Sequence, residues 1–165
     1  MPRVPFDRLP DDARVWIFGA ERELTPDEQA QLVGDVDRFL DQWTAHKAPL
    51  PAGRDLRYDR FLLVAVDERS AGVSGCSIDA LVRRMRDLQA EMGVELVNHA
   101  PVLFRRGDAI ARVPREEFAA LAARGDVTLE TTVFDNTLQQ LGEVRTGRWE
   151  VPARESWHGR AFFGA

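Results

Sequence analysis

Residues 61–66, FLLVAV, constrain the fold more than any other stretch of this chain. An extended segment that is half buried alternates apolar and polar residues, whereas this one is apolar on both faces. It therefore predicts a central strand, covered on both sides, within the longer run RYDRFLLVAVDE at 57–68. The segments around it must supply that cover. RVWIFGA, residues 14–20, is short, apolar and rich in strand formers, which predicts a second strand. Between the two lies a helix with a well-marked start. Thr25 stands at the N-cap, Pro26 at the first helical position, and Glu28 completes a T-x-x-E capping box. Leu32, Val36, Phe39, Leu40 and Trp43 then share one helical face, and KAPLPAG at 47–53 ends the pattern. After the 57–67 strand, Ile78, Leu81, Val82, Met85, Leu88 and Met92 form the stripe of a second helix, closed by Gly93. A right-handed crossover through the first helix would make the strands at 14–20 and 57–67 parallel.

The second half has a different texture. PVLFRRGDAIARV, 101–113, predicts two strands around a turn at Arg106-Gly107-Asp108. PREEFAALAARG, 114–125, predicts a short helix with Pro114 near its start and Gly125 past its end. A strand follows at 131–134, and NTLQQLGEVR, 136–145, has the leucine spacing of a last helix. The expected architecture is α+β. An irregular arm at 1–13 precedes an N-terminal βαβα unit at 14–98, a smaller C-terminal β-β-α-β module covers 99–147, and an aromatic tail at 148–165 packs across both to make one globule.

The bulk properties exclude several partners. The 165 residues carry a formal net charge of -5 with no basic block, so a nucleic-acid backbone is not an expected partner. No apolar run approaches the roughly 20 residues that span a bilayer, and the N-terminus lacks the apolar stretch of a signal peptide. A single cysteine cannot form an internal disulfide and fits a reducing cytoplasm.

The segments RVWIF, FLDQWTAHKAPL, RYDRFLLVAVDE, SGCSID and TVFDN together resemble a family of short bacterial proteins of unknown function that often bear the label ABC transporter ATPase. ATP binding in that class needs a G-x-x-x-x-G-K-[ST] loop whose lysine reaches the phosphates. The nearest stretch here, SAGVSGCS, has no lysine, so the resemblance implies no known activity. More locally, residues 103–135 are similar to GYF-like modules in their order of strand, turn, strand, E-E-F helix, glycine and T-x-V-F. That similarity implies the topology. It does not extend to the Gly-Pro-aromatic surface that binds proline-rich peptides, because AIARVP stands in its place.

Cys76 is the candidate reactive group. A strand–loop–helix junction would place it at a helix start, where unpaired N–H groups and the helix dipole favour a thiolate. Ser74, Gly75, Ser77 and Asp79 surround it in sequence and would line a ligand site there, with His46 as a possible partner of the thiol. Against this, cysteine packs well as a small hydrophobe, and Ser74, Ser77 and Asp79 are ordinary helix-start residues. The C-x5-R spacing of a phosphatase is missed by one residue, at Arg83, and no C-x-x-C is present. Arg54, Arg57 and Arg60 could face an anion near Ser77 or form an ion-paired rim. Asp67 and Glu68 stand at the strand end as acid–base candidates. His46, His99 and His158 have no ligand spacing, so neither a metal nor another cofactor is expected. Trp149, Trp157, Phe162 and Phe163 either pack back on the domain or dock a protein partner or a second copy. Two function classes result. The first is a non-catalytic cytoplasmic interaction or scaffold module, and the second is a small-ligand, anion-binding or thiol-dependent protein with its site at 70–79. The poor catalytic inventory and the aromatic tail place the first ahead.

Overall fold

The computed structural model describes residues 3–69 and 71–164. It has the mixed α+β architecture that the residue patterns predict. An arm with a 3-10 turn at Phe6–Arg8 leads into β1 (Arg14–Gly19), then α1 (Pro26–Gln42). The α1 start is built as its residues dictate. The Thr25 side chain accepts from the Glu28 N–H at 3.2 Å, and Glu28 accepts from the Thr25 N–H at 2.9 Å. A two-residue hairpin, β2 (Thr44–Ala45) and β3 (Ala48–Pro49), precedes β4 (Ala52–Arg57) and β5 (Phe61–Val66). Helix α2 (Gly75–Met92) follows and ends at Gly93, whose φ of 66° suits a residue without a Cβ.

The first sheet has the order β1-β5-β4, with β5 in the centre. No residue of β5 is more than 1% exposed. Leu62, Val64 and Val66 pack into the helix-side core with Leu32, Val36, Leu40, Leu81, Met85 and Leu88. Phe61, Leu63 and Ala65 pack into a second core on the opposite face, with Ile17, Phe134, Leu141 and Trp149. Each fully buried side chain of this size contributes roughly 1.5–3 kcal/mol.

Strands β1 and β5 pair antiparallel, in register Arg14↔Val66 to Gly19↔Phe61, and not parallel. The difference arises from β4. Its sequence, AGRDLR, is too polar to show as a strand, yet it pairs with β5 over its whole length. Because β1 and β4 both run antiparallel to β5, they are parallel to each other. The helical crossover therefore links β1 to β4, and β5 inserts between them by way of a hairpin. That hairpin turns at Tyr58 and Asp59, both at positive φ.

The second sheet has the order β7-β6-β8-β9, from β6 (Val102–Arg106), β7 (Ala109–Val113), β8 (Thr132–Phe134) and β9 (Glu150–Pro152). Helices α3 (Arg115–Arg124) and α5 (Trp157–Phe163) close a third core, in which Phe118 meets Phe104 and Phe162 edge-on at 5.1 and 4.9 Å. The helix expected over 136–145 is reduced to α4 (Leu141–Arg145). Residues 139–141 instead join the edge of β1: the Val15 N–H donates to the Gln139 carbonyl at 2.9 Å and the Leu141 N–H to the Ala13 carbonyl at 2.9 Å. Pairing of these backbone groups with a strand edge outcompetes the local helical pattern.

Two devices join the layers. Phe61, Phe134 and Trp149 meet with ring centroids 4.8–5.2 Å apart, and Tyr58 caps the cluster with its hydroxyl donating to Glu150 at 2.5 Å. Arg60, buried beneath the hairpin, donates to the carbonyls of Ala20, Glu21 and Ile110.

The arm is held against β4 by close backbone approach. The Val4 N–H donates to the Ala52 carbonyl at 2.8 Å, and a Cβ on Gly53 would lie 2.6 Å from the Val4 carbonyl oxygen. Gly53→Ala is therefore expected to lower stability by about 1–3 kcal/mol through overpacking against immovable backbone. Gly72→Ala, with nothing within 4 Å, is the control and should change little. Urea midpoints of the two variants check this.

Candidate functional site

The structure places Cys76 in the first turn of α2, exposed, one residue after the helix begins. The helix starts at Gly75, slightly ahead of the expected start near Ser77. Ser74 and Ser77 are absorbed by the helix start. Ser74 Oγ accepts from the Ser77 N–H at 3.1 Å, and Ser77 Oγ accepts from the Ser74 N–H at 2.7 Å. The Ser77 carbonyl accepts from Trp43 Nε1 at 2.9 Å, which ties the end of α1 to the start of α2. Asp79 is exposed on the outer face of that helix. His46 stands at the tip of the β2–β3 hairpin with φ 51°. Cys76 and His46 do line one shallow groove, together with Phe39, Trp43 and Arg84, but no hydrogen bond joins the two side chains.

The arginines expected beside this loop lie elsewhere. Arg57 and Arg60 are at the entry of β5, and Cys76 lies beyond its exit, with the six-residue strand between them. At about 3.3 Å per residue this separates them by about 20 Å. Arg60 is committed to its three carbonyls, Arg57 pairs with Asp55 at 2.9 Å, and Arg54 pairs with Asp37 at 2.8 Å. The anion site proposed from these residues is thus not assembled. At the exit of β5, Asp67 forms an ion pair with Arg69 at 2.7 Å and Glu68 accepts from the Val73 N–H, which leaves neither carboxylate opposite another. The tail aromatics are drawn inward. Trp149 is buried between the layers, and Phe162 and Phe163 pack half-buried against Phe118.

A second concavity has a different chemical character. A cleft of about 490 Å³ runs along the free edge of β1, between α2, the 97–101 loop, the 136–139 segment and the start of α5. Trp16, Ile17, Val82, Leu103 and Phe134 give it apolar walls. Arg14, Arg86 and Arg115 also line it, and no Asp or Glu does. Among the described residues none of these three arginines takes part in an ion pair. Arg14 lies over the Trp16 ring at 4.9 Å, and Arg115 lies over Trp157 at 5.0 Å. Two donors here, Arg14 Nε and Trp157 Nε1, are buried without an acceptor. A buried unpaired donor costs about 1–3 kcal/mol, more when charged, unless an acceptor reaches it.

Two histidines face the same space. His158 is 1% exposed, and its Nδ1 lies 2.7 Å from the Ser156 hydroxyl. Desolvation pulls its pKa down to about 4, with Arg115 adding to the shift and Asp135 opposing it. His99, packed near Phe18, is also lowered by desolvation. Both are therefore neutral at pH 7, and the positive charge of the cleft resides in its arginines. The sequence signal for this site is weak, because its members come from β1, α2, β6, α3, β8, α5 and two loops. Only Trp157 and the histidines stand out beforehand.

Among the described residues no group of three or more His, Cys, Asp or Glu could hold a metal ion, and no helix is long and apolar enough to cross a membrane. Comparison with protein-family models, curated proteins and solved structures returns no match, which neither supports nor opposes the two resemblances.

Burial of neutral His158 sets a pH dependence. As pH falls below the unfolded value near 6.5, the unfolded chain gains a proton that the folded chain refuses until about pH 4. Stability should fall across that window, by about 1.5 kcal/mol between pH 6.5 and 5. Chemical denaturation at both pH values should show the slope, and it should flatten in His158→Gln. The exposure of Cys76 gives a second expectation: one thiol per chain reacts with a disulfide reagent in native buffer, at a rate unchanged by denaturant. A thiol that reacts only after unfolding would contradict its placement.

Proposed function

We propose that this chain is a non-catalytic binding protein whose cleft along β1 takes up an organic anion with an apolar body. The single observation that carries this reading is a concavity bearing three arginines and no carboxylate, in a protein of formal net charge -5. Arginine presents a planar fork of donors that matches carboxylates, sulfonates and phosphates. The aromatic and aliphatic walls would exclude water from the remainder of the ligand and strengthen the ionic contact. Catalysis is not part of the reading: His158 is enclosed with Ser156, and the one hydroxyl of the lining, that of Thr137, is held by the Asp135 carboxylate as part of the turn.

The thiol reading retains one specific support, the shared groove of exposed Cys76 and His46. The tail as an outward docking surface is less supported, since Trp149 is spent inside the protein.

Anilinonaphthalene sulfonate tests the cleft directly, with the uncharged N-phenyl-naphthylamine as its partner probe. The sulfonate should bind saturably at one site per chain. Arg86→Gln should weaken it about tenfold or more, as loss of a charged hydrogen bond does, while Arg83→Gln on the outer face of α2 should not. Equal binding of both probes, or an Arg86→Gln variant that binds as well as the parent, would rule the reading out.

A further inference from the structure

We infer that the anion is the terminal carboxylate of an extended peptide, which enters the cleft as an added strand between β1 and the 136–139 segment. The inference rests on the binding reading above and names the ligand of that same cleft.

The backbone carries it. In β1 the even-numbered residues bond to β5, a pattern continued by the Ala20 N–H donating to the Arg60 carbonyl at 3.0 Å. The odd-numbered residues point their N–H and C=O groups the other way. Val15 uses that outward side to bond Gln139, and the pairing of Arg14 with Gln140 is antiparallel. A continuing ladder would next take the Gln139 N–H to Val15 and the Ile17 N–H to Thr137. Neither bond is made. The Gln139 N–H turns to the Glu143 carboxylate at 3.4 Å, and the Thr137 N–H turns to Asp135 at 3.0 Å. The segment thus peels away from β1 after one step, and the cleft opens at the point of separation.

Ile17 is left with outward-facing backbone groups that no described residue pairs, although the residue is only 2% exposed. Buried backbone groups in folded proteins are nearly always paired. Gly19 presents the next outward N–H, one strand repeat further on. A small aromatic anion would satisfy the arginines and leave this edge open. An extended peptide satisfies both, since strand addition supplies acceptors and donors at the two-residue repeat that β1 offers. A terminal carboxylate supplies the charge for Arg86, which has no acidic partner, and for Arg115, whose Nε is held by the Ala100 carbonyl at 2.9 Å while its outer nitrogens remain available.

The test uses the whole protein and a pool of N-acetylated tetrapeptides with free carboxyl ends, beside the same pool amidated. The free-acid pool should displace the naphthalene sulfonate, and the amidated pool should do so about ten- to a hundredfold less well. Binding of a peptide selected from the free-acid pool should slow amide hydrogen exchange at Ile17 and Gly19 by tenfold or more, and Arg86→Gln should weaken it without altering exchange in the unliganded protein. If the sulfonate binds and neither pool displaces it, the peptide inference falls while the anion reading stands. If the sulfonate itself does not bind, both fall. Displacement that leaves exchange at Ile17 and Gly19 unchanged also overturns strand addition.

Discussion

The structure depends on β5 being buried on both faces. A strand with Leu62, Val64 and Val66 on one side and Phe61, Leu63 and Ala65 on the other is stable only between two apolar layers. Helices α1 and α2 form the first layer. The second is assembled from the later part of the chain, where Phe134, Leu141 and Trp149 close over Phe61. The C-terminal sheet is therefore joined to the first by a shared core, and Arg60 fixes the relative placement by serving carbonyls from both sides.

Central placement of β5 leaves β1 and β4 as edges, and each edge is handled differently. The N-terminal arm covers β4, close enough that Gly53 has no room for a side chain. On β1 the cover is partial. The chain from 139 to 141 pairs with it for one step and then departs under the control of Asp135 and Glu143. Exposed strand edges are hazards that proteins usually block. Here the unblocked part lies within a cleft, walled by α2 and the tail, where only a ligand of limited size can reach it.

Charge placement in this acidic protein reinforces the point. Many arginines elsewhere are paired, as in Arg84 with Asp35 at 2.7 Å and Arg105 with Glu150 at 2.9 Å. Such pairs lock elements together and contribute little stability when exposed. Arg14, Arg86 and Arg115 form no ion pair among the described residues, and Arg14 and Arg115 lie over the Trp16 and Trp157 rings. His158, which also lines the cleft, is neutral at pH 7.

What the sequence by itself determined is local. Thr25 with Glu28, Gly93 and Gly125 mark helix ends because capping and the left-handed turn are decided within a few residues. The two-faced burial of FLLVAV is likewise written in its composition. The tertiary structure decided which strands are neighbours, because AGRDLR becomes a strand only when β5 offers it a partner. It also turned 136–140 from a local helical pattern to a turn that meets the edge of β1 only at 139–140, and sent Arg57 and Arg60 to the far end of β5 from Cys76. The arginine cleft belongs to the same category. Its members are distant in the chain, and no periodicity relates them. Only the packing of two sheets around one central strand brings them to a common space.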